Sequence, residues 1–395
     1  MVIDMSIETP RTSKDHLDFY MENDISPVRQ NIDDIQKHLE RRSSLYQKIG
    51  APSVLFMGKN VLEVGPGSGH NSLYVASCKP ARYDLLEPNK TAQNGIRELY
   101  STINLDLTEP HLIEQKLEDF SPDIEYDIVI CEAWLGVSNH EREMMKRLGE
   151  LVSQGGILIT TIASPLGSVS NGIRRVLSWG ITRNIDNIDK KTKILLEAYS
   201  THLDTINDMS RVHEDWAQDT LINPGFLTMC PQPDMFIDDI GSKFDVYESF
   251  PKFNNDWRWY KSLYGVNKKY NEKFLSSYHR NIHNFFDYRN YHAQISKKLG
   301  AEIESESFNF ISQIAKKEDS NNAVIDDRII KSVQKIGLLM SDIDDCWINL
   351  FEEVVSLMKG KIITENDISK MKFFKKLFGR ELIYVSAIKS NAPTL

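Results

Sequence analysis

The segment Asn60-Val61-Leu62-Glu63-Val64-Gly65-Pro66-Gly67-Ser68-Gly69-His70-Asn71 constrains this chain more than any other. Val61 to Val64 are apolar and β-prone around a single acid, as a buried strand is. Gly65, Gly67 and Gly69 then alternate, and Asn71-Ser72-Leu73-Tyr74-Val75-Ala76 reads as the first turns of a helix. Strand, glycine turn and helix together open a βαβ unit of the nucleotide-binding kind. Glycines there let the backbone turn sharply, so that a ligand lies against bare N–H groups at the helix start. The spacing is G-x-G-x-G with Glu63 two residues before the first glycine, whereas a dinucleotide site uses G-x-G-x-x-G.

The strand-helix rhythm continues downstream. A second strand is predicted over 81–87, ending at Glu87-Pro88-Asn89, with a helix over 90–103 behind it. A weak third strand covers 112–117 and ends at Glu118-Asp119. The run 126–132 is continuously apolar, as a central parallel strand is. A helix over 141–152 stops at Gly155-Gly156, and a fifth strand covers 157–163. Such alternation predicts a parallel sheet with helices on both faces. Upstream, 16–50 is helical with a break at Ser26-Pro27. Asn31 or Asp33 is the expected N-cap there, and Gly50 with Pro52 the stop; residues 1–14 read as loose. After Ser164 the rhythm ends. Residues 165–223 are helical and polar, 244–250 form a sixth strand, and 261–378 are helical again. The last helix, over 364–378, is expected to end at Gly379 as its C-terminal cap. The best flexible-loop candidate is 318–322, and 381–389 forms the last strand.

The expected fold class is α/β: a doubly wound, mostly parallel seven-stranded sheet with a helical cap built from insertions. The expected divisions are a helical lead-in (1–57), a nucleotide-binding core (58–164) and a first helical insertion (165–243). Core strand six (244–260), a second helical insertion (261–378) and the last strand with its tail (379–395) follow. With 395 residues and a net charge of −9, the chain lacks the basic excess that sequence-independent nucleic-acid binding requires. No stretch reaches the ~18 apolar residues of a membrane helix, and residues 1–14 lack the apolar core of a signal peptide. Four scattered cysteines without metal-ligand spacing fit a reduced, cytoplasmic protein.

This set of motifs resembles the class I S-adenosylmethionine (SAM) methyltransferases. Glu63 to Gly69 is similar to that family's first motif, in which the glycine loop approaches the methionine part of SAM and the early acid fixes the loop. The resemblance implies a cofactor set of Glu63, Gly65, Pro66, Gly67, Gly69, His70, Asn71, Glu87, Pro88, Asn89, Leu117, Glu118 and Trp134. Glu87 would take two ribose hydroxyls, since one carboxylate accepts both O–H groups. Leu117-Glu118 lies where the family contacts adenine. Residues 127–134 resemble the fourth motif, and Gly155-Gly156 resembles the approach to the fifth strand. The family's terminal hairpin matches 244–250 and 381–389. The resemblance covers roughly half of the chain and implies SAM as cofactor while leaving the acceptor open. Glu132-Ala133-Trp134 departs from the Asn/Asp-Pro-Pro-Tyr/Phe of DNA amino-group methylases, which puts that substrate in doubt. The lead-in Ile25-Ser26-Pro27-Val28 with 37–42 also looks similar to bacterial methyltransferases found among cell-surface polysaccharide genes.

Candidate catalytic residues are His213, in the polar stretch 208–219, and Glu132, at the end of a buried strand. A histidine beside carboxylates is a composition that suits a general base at neutral pH; a solvated helix face is the other reading. Arg211, Glu214, Asp215 and Trp216 are candidate substrate contacts in the same stretch. Arg174 and Arg175 could clamp a phosphate or carboxylate. His70 and Asn71 either cap the helix or reach the cofactor. Trp134 either covers adenine, shapes the substrate pocket or is core. Trp257, Trp259 and Tyr260 read as core ahead of a sugar-stacking platform. His279 and His283 have i,i+4 spacing without a third ligand, so no metal is expected. The function these readings imply is methyl transfer to oxygen on a glycan-related or sugar-nucleotide acceptor. N- or O-methylation of a peptide or secondary metabolite, NAD(P)-dependent oxidoreduction and a non-catalytic SAM-fold module are the alternatives.

Overall fold

A computed structural model describes residues 16–390 apart from 27, 254 and 361. The expected loose stretch 1–14 and Pro27 of the lead-in lie outside the described residues. Helices α1 (His16–Glu22) and α2 (Ile35–Lys48) precede the alternating core. That core runs β1 (Asn60–Val64), α3 (Ser72–Ser77), β2 (Arg82–Leu86), α4 (Lys90–Thr102), β3 (His111–Ile113), β4 (Tyr126–Cys131), α5 (Asn139–Leu151) and β5 (Val152–Ala163). The first insertion holds α6 (Pro165–Thr182), α7 (Ile188–Leu203), α8 (His213–Trp216) and α9 (Pro233–Ile240) before β6 (Phe244–Phe250). The second holds α10 (Tyr270–Asn281), α11 (Lys297–Asp319), α12 (Asp327–Ser341), α13 (Ile348–Met358) and α14 (Glu365–Ser369) before β7 (Leu382–Lys389).

The strands form one sheet in the order β3-β2-β1-β4-β5-β7-β6. β1 to β5 are parallel, with Leu62 opposite Asp84 on one side and Val129 on the other. β7 runs antiparallel between β5 and β6, with Leu382 opposite Ala163 and Lys389 opposite Phe244. This is the expected doubly wound, mostly parallel sheet with helical insertions. Successive strand residues point to opposite faces, and two cores result. Val61, Tyr83, Leu85, Ile128 and Ile159 meet Tyr46 of α2, Val75 of α3 and Ile96 of α4. Leu62, Leu86, Val129 and Leu158 face the other way, onto Leu148 of α5 and a core continuous with Ile173, Tyr199, Phe236, Tyr278, Ile311, Val333, Val354 and Ile368 of the insertions.

Several local expectations are corrected. The N-cap of α2 is Asp34, whose carboxylate accepts from Lys37 N; Asn31 and Asp33 instead bond each other. Gly50 does stop the segment, at φ +73, and also makes room for the ring of Tyr247. Gly155-Gly156 does not precede β5 but forms a bulge within it, where Gly156 lies too close to the Asp127 carbonyl to accept a Cβ. The helix expected over 364–378 breaks after Ser369. The carboxylate of Glu353 on α13 accepts from the N–H groups of Lys372, Phe373 and Phe374, giving the chain another partner than its own helix. Gly379 is not a left-handed cap: it lies against the backbone of Gly167, where a Cβ would meet the Gly167 carbonyl oxygen at 2.0 Å. The loop expected at 318–322 begins as the end of α11, where Glu318 accepts from Arg175 and Trp179. Trp257, Trp259 and Tyr260 are 95%, 67% and 66% exposed, so they are not core. Cys78, Cys131 and Cys230 are buried free thiols and Cys346 an exposed one. No helix among the described residues is long and apolar enough to cross a membrane.

Candidate functional site

A cavity of about 630 Å³ opens over the C-terminal ends of β1, β2, β4 and β5, the edge where doubly wound sheets bind ligands. Its floor is the turn after β1. Gly65, Gly67 and Gly69 have φ of +71, +56 and +76, a region that favours glycine. The two nearer the cavity also meet covering side chains: a Cβ on Gly65 would lie 2.5 Å from the Trp134 ring, and one on Gly67 2.8 Å from Val28 Cγ2. Gly69 is packed from behind by Ile96 and does not line the cavity.

Around this floor stand most residues of the expected cofactor set. Glu63 is buried in β1, and the Tyr83 hydroxyl donates to its carboxylate. Burial pushes its pKa up to about 7. At the end of β2, the Glu87 carboxylate accepts from Gly67 N at 3.1 Å and Asn89 N at 2.9 Å, which ties the glycine turn to the second strand. Asn89 in turn caps α4 through Thr91 N and donates to the Ile25 carbonyl. His70 Nδ1 lies 2.8 Å from Ser68 Oγ, its carbonyl faces His38 Nε2, and burial lowers the pKa of its ring. Asn71 precedes α3 without bonding it through its side chain, so it is no capping residue. Pro66, Pro88, Leu117 and the exposed Glu118 complete this part of the wall.

The β4 end closes the wall opposite. Ala133 takes the left-handed conformation, φ +58, and its N–H bonds Thr161 Oγ1 at 2.7 Å. That turn lays Trp134 on Gly65, with the indole N–H donating to the Val64 carbonyl at 3.0 Å. Trp134 is therefore a wall of the cavity and not simply core. Glu132 reaches the cavity, but both its oxygens accept from Arg42 Nη2, at 2.7 and 2.8 Å, and one also accepts from the Tyr46 hydroxyl. The carboxylate is thus held by a buried guanidinium and joins α2 to β4.

The rest of the expected substrate and catalytic set divides. Arg211 lines the cavity and bonds Asp219 at 2.6 Å. His213 starts α8 outside the lining, and Glu214 is exposed on the same helix. Asp215 is buried and held by Arg29 at 2.5 Å; Trp216 packs edge-on to Tyr199. Arg174 and Arg175 are buried in α6 and do not line this cavity. Arg174 lies on the ring of Phe378, 3.8 Å from its centroid, and donates to the Leu377 carbonyl. Arg175 bonds Glu318 and the carbonyls of Thr220 and Asn223. The apolar turns of α6 carry both arginines inward, where aromatic faces, carbonyls and the Glu318 carboxylate satisfy them. His279 pairs with Glu304, and the described residues hold no group of three side chains arranged for a metal.

Sequence reasoning missed the other half of the wall. The N-terminal segment contributes Tyr20, Val28 and Gln30, the last bridged to Arg211. The Tyr20 hydroxyl donates to Asp219, which Asn223 Nδ2 also meets at 3.0 Å. Glu381 and Tyr384 enter from the start of β7. Asp219 stood within a stretch already marked as polar. The signal for Glu381 was its position, since an antiparallel last strand begins where the parallel strands end.

No protein-family model matches the chain, and no curated protein matches it. Among solved structures, the magnesium protoporphyrin IX methyltransferase (ChlM) of Synechocystis PCC 6803 with bound SAM is similar at 18% identity and a TM-score of 0.31, over 39% of this chain and 78% of that one. The N-methyltransferase NodS from Bradyrhizobium japonicum WM9, in complex with S-adenosyl-L-homocysteine, is similar at 15% identity and a TM-score of 0.29, over 36% and 72% of the two chains. The glycopeptide N-methyltransferase MtfA is similar at 15% identity and a TM-score of 0.28, over 32% and 53%.

Proposed function

We propose that the protein is a SAM-dependent methyltransferase that acts on a hydroxyl of a glycan-related acceptor such as a sugar nucleotide. The carrying observation is that the glycine turn after β1 and the Glu87 carboxylate after β2 face one cavity with an open side. Its volume lies within the ~300–1,000 Å³ of small-molecule sites, and the chemistry of its donors suits the parts of SAM. Glu87 would hold the ribose hydroxyls. Leu117 and Trp134 offer apolar faces for adenine, and the side-chain amide of Asn71 offers a donor for a carboxylate.

When bound, SAM supplies a methyl group on a positively charged sulfur. The chain's own part is to position and to exclude water. Arg42 and Tyr46 keep Glu132 fixed at the floor. Tyr20, Arg211 and Asp219 form a bonded network on the acceptor side. Holding acceptor and donor in line is worth several orders of magnitude in rate. Gln30, Ser168, Thr228, Phe226 and Tyr384 also line that side. Hydrogen-bonding groups mixed with ring faces suit a polyhydroxylated ring, and this supports the glycan-related reading. The helices of the two insertions would act as the cap that encloses the acceptor.

Calorimetric titration with S-adenosylhomocysteine, with NAD and NADP in parallel, tests the reading. Wild type is expected to bind the homocysteine compound and neither dinucleotide. Glu87→Ala is expected to weaken that binding about 30- to 140-fold, as loss of charge-assisted hydrogen bonds worth about 2–3 kcal/mol implies. Absence of binding by wild type would remove the methyltransferase reading.

A further inference from the structure

Glu381 is a carboxylate of the cavity with no part in the cofactor set. We propose that it is the general base of the acceptor site, taking the proton of the acceptor hydroxyl as that oxygen attacks; this rests on the methyltransferase reading above. Three features of its setting carry the inference. It lines the cavity at the start of β7, beside the end of β5, so it stands at the ligand-binding edge of the sheet. Its backbone is rigid there. Gly167 of α6 lies so close to Arg380 that a Cβ would meet the Arg380 carbonyl oxygen at 2.0 Å, and Gly379 fits against Gly167 in the same way. Finally, its carboxylate is committed neither to a cation, as those of Glu132 and Asp219 are, nor to backbone N–H groups, as those of Glu87 and Glu141 are. Glu381 accepts through Oε1 from Asn171 Nδ2, and among the described residues no cation lies within salt-bridge distance of it.

The electrostatics of the site agree. The charged groups that act on Glu381 are Arg211 and Arg174, which favour its anion, and Asp219, which opposes it. Burial outweighs them and raises its pKa, which makes it a stronger base once ionised. In the proposed step the acceptor O–H bond breaks, its proton passes to Glu381, and the oxygen forms a bond to the methyl carbon. The carbon–sulfur bond breaks with its electron pair going to sulfur, so the cationic sulfur becomes a neutral thioether and charge balances. An amine acceptor would use the same carboxylate as an ion-pair partner instead, and the two roles separate experimentally.

The test compares wild type, Glu381→Gln and Glu381→Asp. Calorimetry with S-adenosylhomocysteine reports first whether the site is folded and whether the parent reading holds. Equal affinity in all three is expected, and loss in wild type itself sinks the parent reading, not this one. Methyl transfer from radiolabelled SAM is then followed into sugar nucleotides and into amino sugars. Transfer to hydroxyls is expected to fall about 100- to 1,000-fold in Glu381→Gln, with partial recovery in Glu381→Asp and loss of the acid limb of the pH–rate profile. An unchanged rate in Glu381→Gln overturns the proposal. So does transfer to nitrogen alone with raised KM and unaltered kcat. Infrared difference titration gives a readout free of turnover. A protonated-carboxyl component that titrates above the ordinary carboxylate range in wild type and is missing in Glu381→Gln, with the Glu63 component left in place, supports a poised acid. If no acceptor is turned over, the absence of that component overturns the assignment.

Discussion

Two carboxylates one turn of chain apart in space illustrate how position sets chemistry. Glu63 lies in β1 and Glu87 directly after the neighbouring β2, and both are buried, yet Glu87 accepts from backbone N–H groups while Glu63 accepts from the Tyr83 phenol. Burial moves Glu63 from an ordinary 4.5 to about 7. The folded protein therefore holds this proton more tightly than the unfolded chain does. The stabilisation is complete below about pH 4.5, declines as pH rises, and is lost above about pH 7. Through linkage the loss is on the order of 2–4 kcal/mol. Glu63→Gln keeps the shape and removes the titration. Urea denaturation of both proteins across this window should give a wild-type-minus-variant difference that falls with rising pH. Parallel curves would mean that Glu63 is ionised in the folded protein throughout. The sequence made Glu63, Glu87 and the three glycines legible because a local spacing carries them. Glu381 was legible only through its place at the start of the last strand, because two helical insertions separate it in sequence from the glycine turn.

At the scale of elements, the strands were the readable part. Continuous apolar runs such as 128–131 have one stable location, between neighbouring strands. Helix ends and helix partners were less readable, since they depend on side chains distant in sequence. Glu353 stops the segment after Ser369, and Gly379 serves close packing and not a cap. The partner of Glu132 is equally hidden, because nothing near it in sequence announces Arg42. The pair has side-chain exposures of 8% and 11%, and removing one partner of such a pair strands a charge. Glu132→Gln and Arg42→Met are each expected to cost about 3–5 kcal/mol. The double variant should cost much less than their sum, with a coupling of at least ~2 kcal/mol in a double-mutant cycle. A Glu132→Gln protein of near wild-type stability would keep Glu132 among the catalytic candidates.

At the scale of the whole molecule, the insertions belong to the body of the protein. One apolar core runs from Leu62 and Val129 in the sheet through Ile173 and Ile311 to Val354 and Ile368. β7 lies between β5 and β6, so the sheet itself is completed only by residues that follow the second insertion. α6 binds both levels, since Gly167 touches the Gly379–Glu381 segment and Arg175 reaches Glu318 of α11. Cooperativity follows from this connectivity: opening the insertions exposes the core under β7, and removing β7 exposes β5 and β6 together. Scanning calorimetry should therefore record a single endotherm for the entire chain. Saturation with S-adenosylhomocysteine at about 100 times Kd should stabilise that one transition by about 2.7 kcal/mol. Two endotherms, of which the ligand moves only one, would mean that the helices fold apart from the sheet. Glu381, whose place depends on α6 gripping the start of β7, would then lose the rigidity on which its assignment rests.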